Sequence, residues 1–432
     1  MKKKIFIFTS LLLLIFLSFI ILFRVLVLVP NVDEANLLLK NKYKNLYVVL
    51  RFFKDFNKNV KRNLNDYNIN FLPKTEFLNL KFTKIKIKDL EKSKSSYLED
   101  FLYKKFQRKY HTFYMAKHKN SIFLATGNGK ILFNQINKLN TNNFEVLNHN
   151  LEIDKITIRE ILIDDGNLYL AISFKKNEKC SILEIYKSEI SISKNLNFES
   201  IFTNSECVSL MAGGRMQIWE KKGQKKILLT TSADILKRDD EGDSKPQDDK
   251  SIYGKVLLID ENTKSYEIFS KGHRNSLGLY ANISQNIVLN TENGPKGGDE
   301  INLILYGKNY GWDIASYGRR YKNNEDTPDY KLSHEDYGFE EPIFSFVPSI
   351  GITEIIKIPN DFSTTWQDNF LIASLFSNHL YRVKFDKKYS KILFLEKIYI
   401  GDRIRDLLYL KNKKQILLAL EDTASIGILE VE

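Results

Sequence analysis

The sequence predicts an all-β fold, a six-bladed β-propeller, preceded by an N-terminal transmembrane signal-anchor helix. Three observations predict it. An apolar run opens the chain, six short β-rich runs recur after residue 111, and five of the six follow a second apolar segment across a tight polar turn. Hydrophobic residues make up 43% of the chain and aromatics 12%, enough to bury cores on this scale. With eight prolines and no Gly/Ser tract, nothing reads as a linker.

The N-terminal element is the run over residues 5–23, which directly follows Lys2, Lys3 and Lys4. At a rise of 1.5 Å per residue such a run reaches roughly 28 Å, the thickness of a bilayer core. No A-x-A-like cleavage site follows it, and the apolar character continues through Arg24 to Pro30. An uncleaved anchor is therefore expected over a removed signal peptide. The initial lysines should stay inside, which places the bulk of the chain in an extracytoplasmic, periplasmic position. Residues 1–30 are read as the anchor, and 31–110 as a basic membrane-proximal extension in which 78–90 alternate like a strand.

The net charge of +12 invites a nucleic-acid reading, but its distribution argues against one. Residues 1–110 hold 23 Lys/Arg against 9 Asp/Glu, leaving 42 against 44 for the remainder. The excess therefore sits beside the anchor, and reads either as a contact for anionic lipid headgroups or as a Lys/Asn-rich composition bias on solvated faces. Only Cys180 and Cys207 are present. They could pair in an oxidising compartment or stand as two buried thiols.

The propeller is expected over 111–432. Its six runs are SIFLAT from Ser121, NLYLAI from Asn167, KILLTT from Lys226, NIVLNT from Asn286, NFLIAS from Asn369 and QILLAL from Gln415, spaced 46, 59, 60, 83 and 46 residues apart. Each unit reads as strand, polar turn, buried strand, and six such units imply six blades. The longest interval holds a polar insertion near 318–342, expected as a loop on one face.

Chemistry concentrates in residues 272–312, which contain GHRN, TENGPKGGDEINL and NYGW. The loop at Asn293–Gly298 is rich in glycine; taken alone it reads as a blade-to-blade turn, but it can also present backbone carbonyls and amides at close range to a cation or an anionic cofactor. Glu300 could add a hard oxygen for Ca²⁺. Arg274 and Asn275 offer a guanidinium fork and an amide. Further on, Arg403 and Arg405 lie two residues apart on an expected strand and project to one side. They call for an anion between them, unless they are solvated rim residues.

Taken together, GGRM at 213–216, GKVLLID at 254–260, GHRN, NGPKGGDEINL, NYGW, PSI at 348–350 and DRIRD at 402–406 resemble the glucose/sorbosone dehydrogenase family, the soluble quinoprotein sugar dehydrogenases. The likeness covers about 205–425 well, and 111–200 by repeat rhythm. It implies a propeller holding pyrroloquinoline quinone (PQQ) over the central channel. Ca²⁺ would bridge the cofactor to the carbonyls of Gly294 and Pro295, and Arg274, Asn275, Arg403 and Arg405 would hold its carboxylates and oxygens. Glu300 and the Tyr310 carbonyl would take a second Ca²⁺. The activity implied is oxidation of a sugar hydroxyl, with electrons passed to a respiratory acceptor.

Two positions depart from the family pattern. The histidine that serves as base four residues before the arginine of GGR is Met211 here, and a thioether accepts no proton. A cofactor-contacting lysine is replaced by Phe376, with His379 nearby as a candidate substitute. The competing expectation is a catalytically silent propeller that binds a sugar, a cofactor or a protein partner. His273, within GHRN, is expected to brace the loop.

Overall fold

A computed structural model describes residues 78–432 apart from 89, 93–109, 142, 178–179, 191–194, 209–211, 222, 235–243 and 321–328. The expected anchor over 1–30 lies outside the described residues, as do most of the extension and Met211.

Six sheets form the blades, each with four antiparallel strands, and the first and third add a two-residue parallel strand at the outer edge, Asn195–Leu196 and Lys308–Asn309. Counting outward from the centre, blade one runs Phe113–His118, Ser121–Thr126, Ile131–Gln135 and Glu145–His149, and blade two Ile156–Asp164, Asn167–Asn177, Cys180–Glu189 and Glu199–Thr203. Blade three runs Gly213–Lys221, Gln224–Thr231, Lys255–Asp260 and Ser265–Lys271; blade four runs Ser276–Asn282, Ile287–Glu292, Asp299–Leu303 and Phe344–Phe346. Blade five is Ile352–Lys357, Asn369–Ser374, His379–Phe385 and Ile392–Tyr399. Blade six takes Ile404–Leu410, Gln415–Leu420 and Ser425–Val431 from the C-terminal end, and its outermost strand, Leu80–Lys86, from the other end of the chain. The inner strands touch in ring order, and the last contacts the first.

All six apolar runs found in the sequence fall on second strands, for a physical reason. A second strand packs on the preceding blade with one face and on the following blade with the other. In blade one, Ile122 and Leu124 join the core shared with blade six, while Phe123 and Ala125 join the core shared with blade two. Every such position is buried, so alternation gives way to an unbroken apolar run. One hydrophobic cluster fills each gap between adjacent blades.

The boundary expected at 111 is corrected by the strand Leu80–Lys86. It pairs antiparallel with Ser425–Val431 from Leu80↔Val431 to Lys86↔Ser425. Leu80 and Phe82 enter the core between blades five and six. Part of the supposed extension is thus propeller, and it closes the ring. The long interval in blade four is an excursion between its third and fourth strands. Cys180 and Cys207 form a disulfide.

Candidate functional site

Near its start, each inner strand from blade two to blade six slips register against its second strand. The irregularities lie at Ile158/Glu160, Gly213/Met216, Ser276/Gly278, Ile352/Ile355 and Ile404/Asp406. Bulges re-aim side chains, and at this depth charged groups meet inside the channel. Arg215, from blade three, reaches all five other blades. Its Nη1 pairs with Glu160 of blade two, with Glu354 of blade five at 2.9 Å and with Asp406 of blade six at 3.0 Å. Its Nε donates to the Leu277 carbonyl of blade four at 2.7 Å, and its guanidinium lies 4.9 Å from the Tyr114 ring of blade one.

Burial pushes the carboxyls of Glu160, Glu354 and Asp406 above their usual range, against the pull of Arg215. Burial would lower Arg215, but the three acids together hold it well above its ordinary value. Toward the C-terminal ends of the inner strands a cavity of about 270 Å³ opens below this cluster, lined by Lys117, Ile163, Gln217 and Leu408 among others.

At the opposite mouth stand the residues singled out in the sequence. Arg403 and Arg405 come together, but the anion between them belongs to the chain. Glu421 accepts from Arg403 Nε at 3.1 Å and from Arg405 Nε at 2.7 Å, with Thr112 Oγ1 donating at 2.8 Å. Burial alone would raise Glu421. Arg405 and Arg403 outweigh that and hold it at about 2. The expectation that this pair needs a foreign anion is therefore corrected: Glu421 neutralises one of the two charges. Arg403 also lies 3.8 Å from the Tyr110 ring centre and donates to the Leu375 carbonyl.

Blade four supplies the loop. Arg274 Nη1 donates to the carbonyls of Asn293 at 2.8 Å and Gly294 at 2.9 Å, and its guanidinium sits 5.2 Å from the Trp312 ring. The Pro295 carbonyl accepts from Ser349 Oγ at 3.2 Å. Asp299 ties the loop to the turn before blade five, accepting from the backbone N–H groups of Gly294, Ile350, Gly351 and Ile352. Only glycine fits at Gly294, where a Cβ would lie 2.2 Å from the Gly298 carbonyl oxygen. His273 braces the loop through Glu292 at 2.9 Å and Ser270 at 2.8 Å, stacked on Tyr310.

Two features test the groups the resemblance implies. Asn275 Oδ1 is buried with no hydrogen-bond partner among the described residues, an acceptor fit for a donor or a cation. Glu300 faces Glu292 as a cross-strand pair, both buried, and burial with this like charge pushes Glu300 well up. A hard cation there would relieve that cost, so the donor chemistry fits Ca²⁺. His334 approaches Glu300 at 3.7 Å, but burial lowers its pKa. Among the described residues no group of three His, Cys, Asp or Glu side chains is placed to hold a metal. Carbonyls and the cofactor would have to complete either shell. Phe376 is exposed, and His379 Nδ1 is engaged with the Ser377 carbonyl at 2.5 Å.

The buried acids and Arg215 were not anticipated as a cluster. Their trace in the sequence is an acid inside an apolar inner strand, in Ile158-Arg-Glu-Ile, Ile352-Thr-Glu-Ile and Ile404-Arg-Asp-Leu.

The model of the family described as Glucose / Sorbosone dehydrogenase matches residues 153–429. An aldose sugar dehydrogenase of Escherichia coli (strain K12) is 35% identical over 118 residues, 27% of this chain and 31% of that one. An uncharacterised protein of Synechocystis sp. is 32% identical over 142 residues, 33% of each chain. The matched segments span about a third of these curated relatives. Among solved structures, the apo form of the soluble E. coli aldose sugar dehydrogenase superposes with a TM-score of 0.59 at 19% identity, covering 74% of this chain and 95% of that one. The PQQ-bound aldose sugar dehydrogenase of Streptomyces coelicolor gives 0.54 at 17%, covering 74% and 93%. These likenesses show the propeller fold.

Proposed function

The chain belongs to the glucose/sorbosone dehydrogenase family, and from that premise we propose that it is a PQQ-dependent sugar dehydrogenase oxidising a sugar hydroxyl in an extracytoplasmic compartment. The observation that carries this reading is the mouth of the channel. There the Arg274–Asn275 corner, with a buried acceptor on Asn275 that has no partner among the described residues, accompanies the Arg403–Arg405 pair and the carbonyls of Gly294 and Pro295. A structure of a relative in its PQQ-bound form supports the choice of cofactor. PQQ, when bound, supplies a quinone that accepts the hydride equivalent from the sugar carbon.

The chain's own part is to hold and orient. Arg403, Arg405 and Arg274 would offer their remaining N–H donors to the cofactor's carboxylates, and Asn275 would fix a polar edge. The carbonyls of Gly294 and Pro295 would take Ca²⁺ with the cofactor, and Glu300 with the Tyr310 carbonyl would take a second. The disulfide and the apolar N-terminal run support an oxidising, membrane-attached setting, with electrons leaving to a respiratory acceptor.

Met211 favours a second reading, a propeller that binds cofactor or sugar without turnover. A missing general base typically lowers rate by about 10²–10⁴. The test is sugar-dependent reduction of a redox dye by the full chain with PQQ and Ca²⁺, run beside Met211→His. Slow turnover that rises about a hundredfold in Met211→His supports a dehydrogenase with a weakened base. PQQ binding with no turnover in either protein supports the silent propeller.

A further inference from the structure

Blades two and six repeat one piece of sequence at one place in the fold. Thr157-Ile-Arg-Glu160 and Arg403-Ile-Arg-Asp406 both open an inner strand, and in each the arginine is the extra residue of the bulge, between Ile158↔Ile172 and Glu160↔Ala171, and between Ile404↔Leu420 and Asp406↔Ala419. Arg159 and Arg405 are therefore equivalent. The acid after each pairs with Arg215. Blade one lies between these two blades, and its Tyr114 interacts with both arginines.

The two differ in what neutralises them. The residue after Leu420 is Glu421, which accepts from Arg405 Nε at 2.7 Å. Its counterpart after Ile172 is Ser173, and among the described residues no carboxylate pairs with Arg159. Arg159 Nε is shut off from water and has no hydrogen-bond partner among the described residues. Gly214 packs closely on the base of its side chain, where a Cβ would come within 2.6 Å of the Arg159 Cβ. Arg405 adds a like charge nearby. The Arg159 side chain is only partly exposed, its Nε has neither water nor a partner among the described residues, and it lacks the anion its twin possesses, so a ligand carboxylate would supply both the acceptor and the countercharge.

The geometry points to Arg159 as a carboxylate-binding residue of the channel, acting across Tyr114 from Arg405 on a carboxylate of the bound ligand. This rests on the mouth being the ligand site proposed above. Two ligands carry that chemistry, PQQ itself and an acidic sugar such as a uronate, and the test separates them. Binding of PQQ (with Ca²⁺), glucuronate and glucose is measured calorimetrically on the full chain and on Arg159→Gln, Arg159→Lys and Ser173→Glu.

If the carboxylate is the cofactor's, Arg159→Gln weakens PQQ about tenfold or more and Arg159→Lys recovers part of the loss. If it is the sugar's, PQQ binding holds while glucuronate weakens and glucose does not. Ser173→Glu installs the missing internal anion and is expected to mimic Arg159→Gln, which keeps the test open if the glutamine variant does not fold. PQQ and glucuronate binding indifferent to both Arg159→Gln and Ser173→Glu overturns the assignment while leaving the proposed function standing. A wild type that takes up neither carboxylate ligand overturns both.

Discussion

Glu421 has no accessible surface and joins two arginines that would otherwise repel each other. Its pKa is depressed from 4.5 to about 2, so its stabilisation is complete above pH 4.5 and is lost as the pH falls toward 2. That difference corresponds to about 3 kcal/mol. Glu421→Gln should therefore lower stability at pH 7 by roughly 3–5 kcal/mol, since it strands buried charge. It should also flatten the acid limb of a urea-unfolding series between pH 5 and 2; an acid limb as steep as the wild type's would remove Glu421 from this role. The arginines were legible in the sequence and Glu421 was not. A lone acid after an apolar strand looks like any surface turn until the register sets it opposite Arg403.

Second strands were legible because burial on both faces writes an uninterrupted apolar run. The closing strand was legible as a strand but not as part of the propeller, because its partner lies at the far end of the chain and no local pattern encodes that distance. Phe82 is 2% exposed and packs on Gly427. Phe82→Ala should cost about 3–5 kcal/mol in urea unfolding, as for any large buried aromatic. A cost below 1 kcal/mol would mean that the ring does not depend on this strand. The Cys180–Cys207 bridge, 27 residues apart, ties the third strand of blade two to the segment entering blade three. Its removal by Cys180→Ser with Cys207→Ser should lower stability by about 3 kcal/mol. Equal stability of the double variant and the oxidised wild type would contradict that. Pairing could not be read from two cysteines alone, because spacing does not constrain Cα separation.

For the whole molecule, the six blades have one shared hub. Among the described residues Arg215 is the sole cation paired with this buried cluster of three carboxylates, and it reaches every other blade. Arg215→Met should leave those acids protonated and cost roughly 3–5 kcal/mol at neutral pH, less in mild acid where protonation is easier. Unfolding followed at pH 5 and pH 7.5 would check this, and an equal cost at both would contradict it. The fold was legible as a count of repeats, and the loop at the channel mouth as a set of motifs. The hub was hidden because each of its members sits alone in a different strand. What the mouth is for rests on one claim, that its arginines, Asn275 and the Gly294–Pro295 carbonyls hold PQQ. Fluorescence titration of the full chain with PQQ in Ca²⁺ tests it most directly. The expected result is saturable one-to-one binding that weakens at least tenfold in Asn275→Ala and in Arg405→Gln. Absence of saturable binding, or binding indifferent to both substitutions in folded protein, would contradict it.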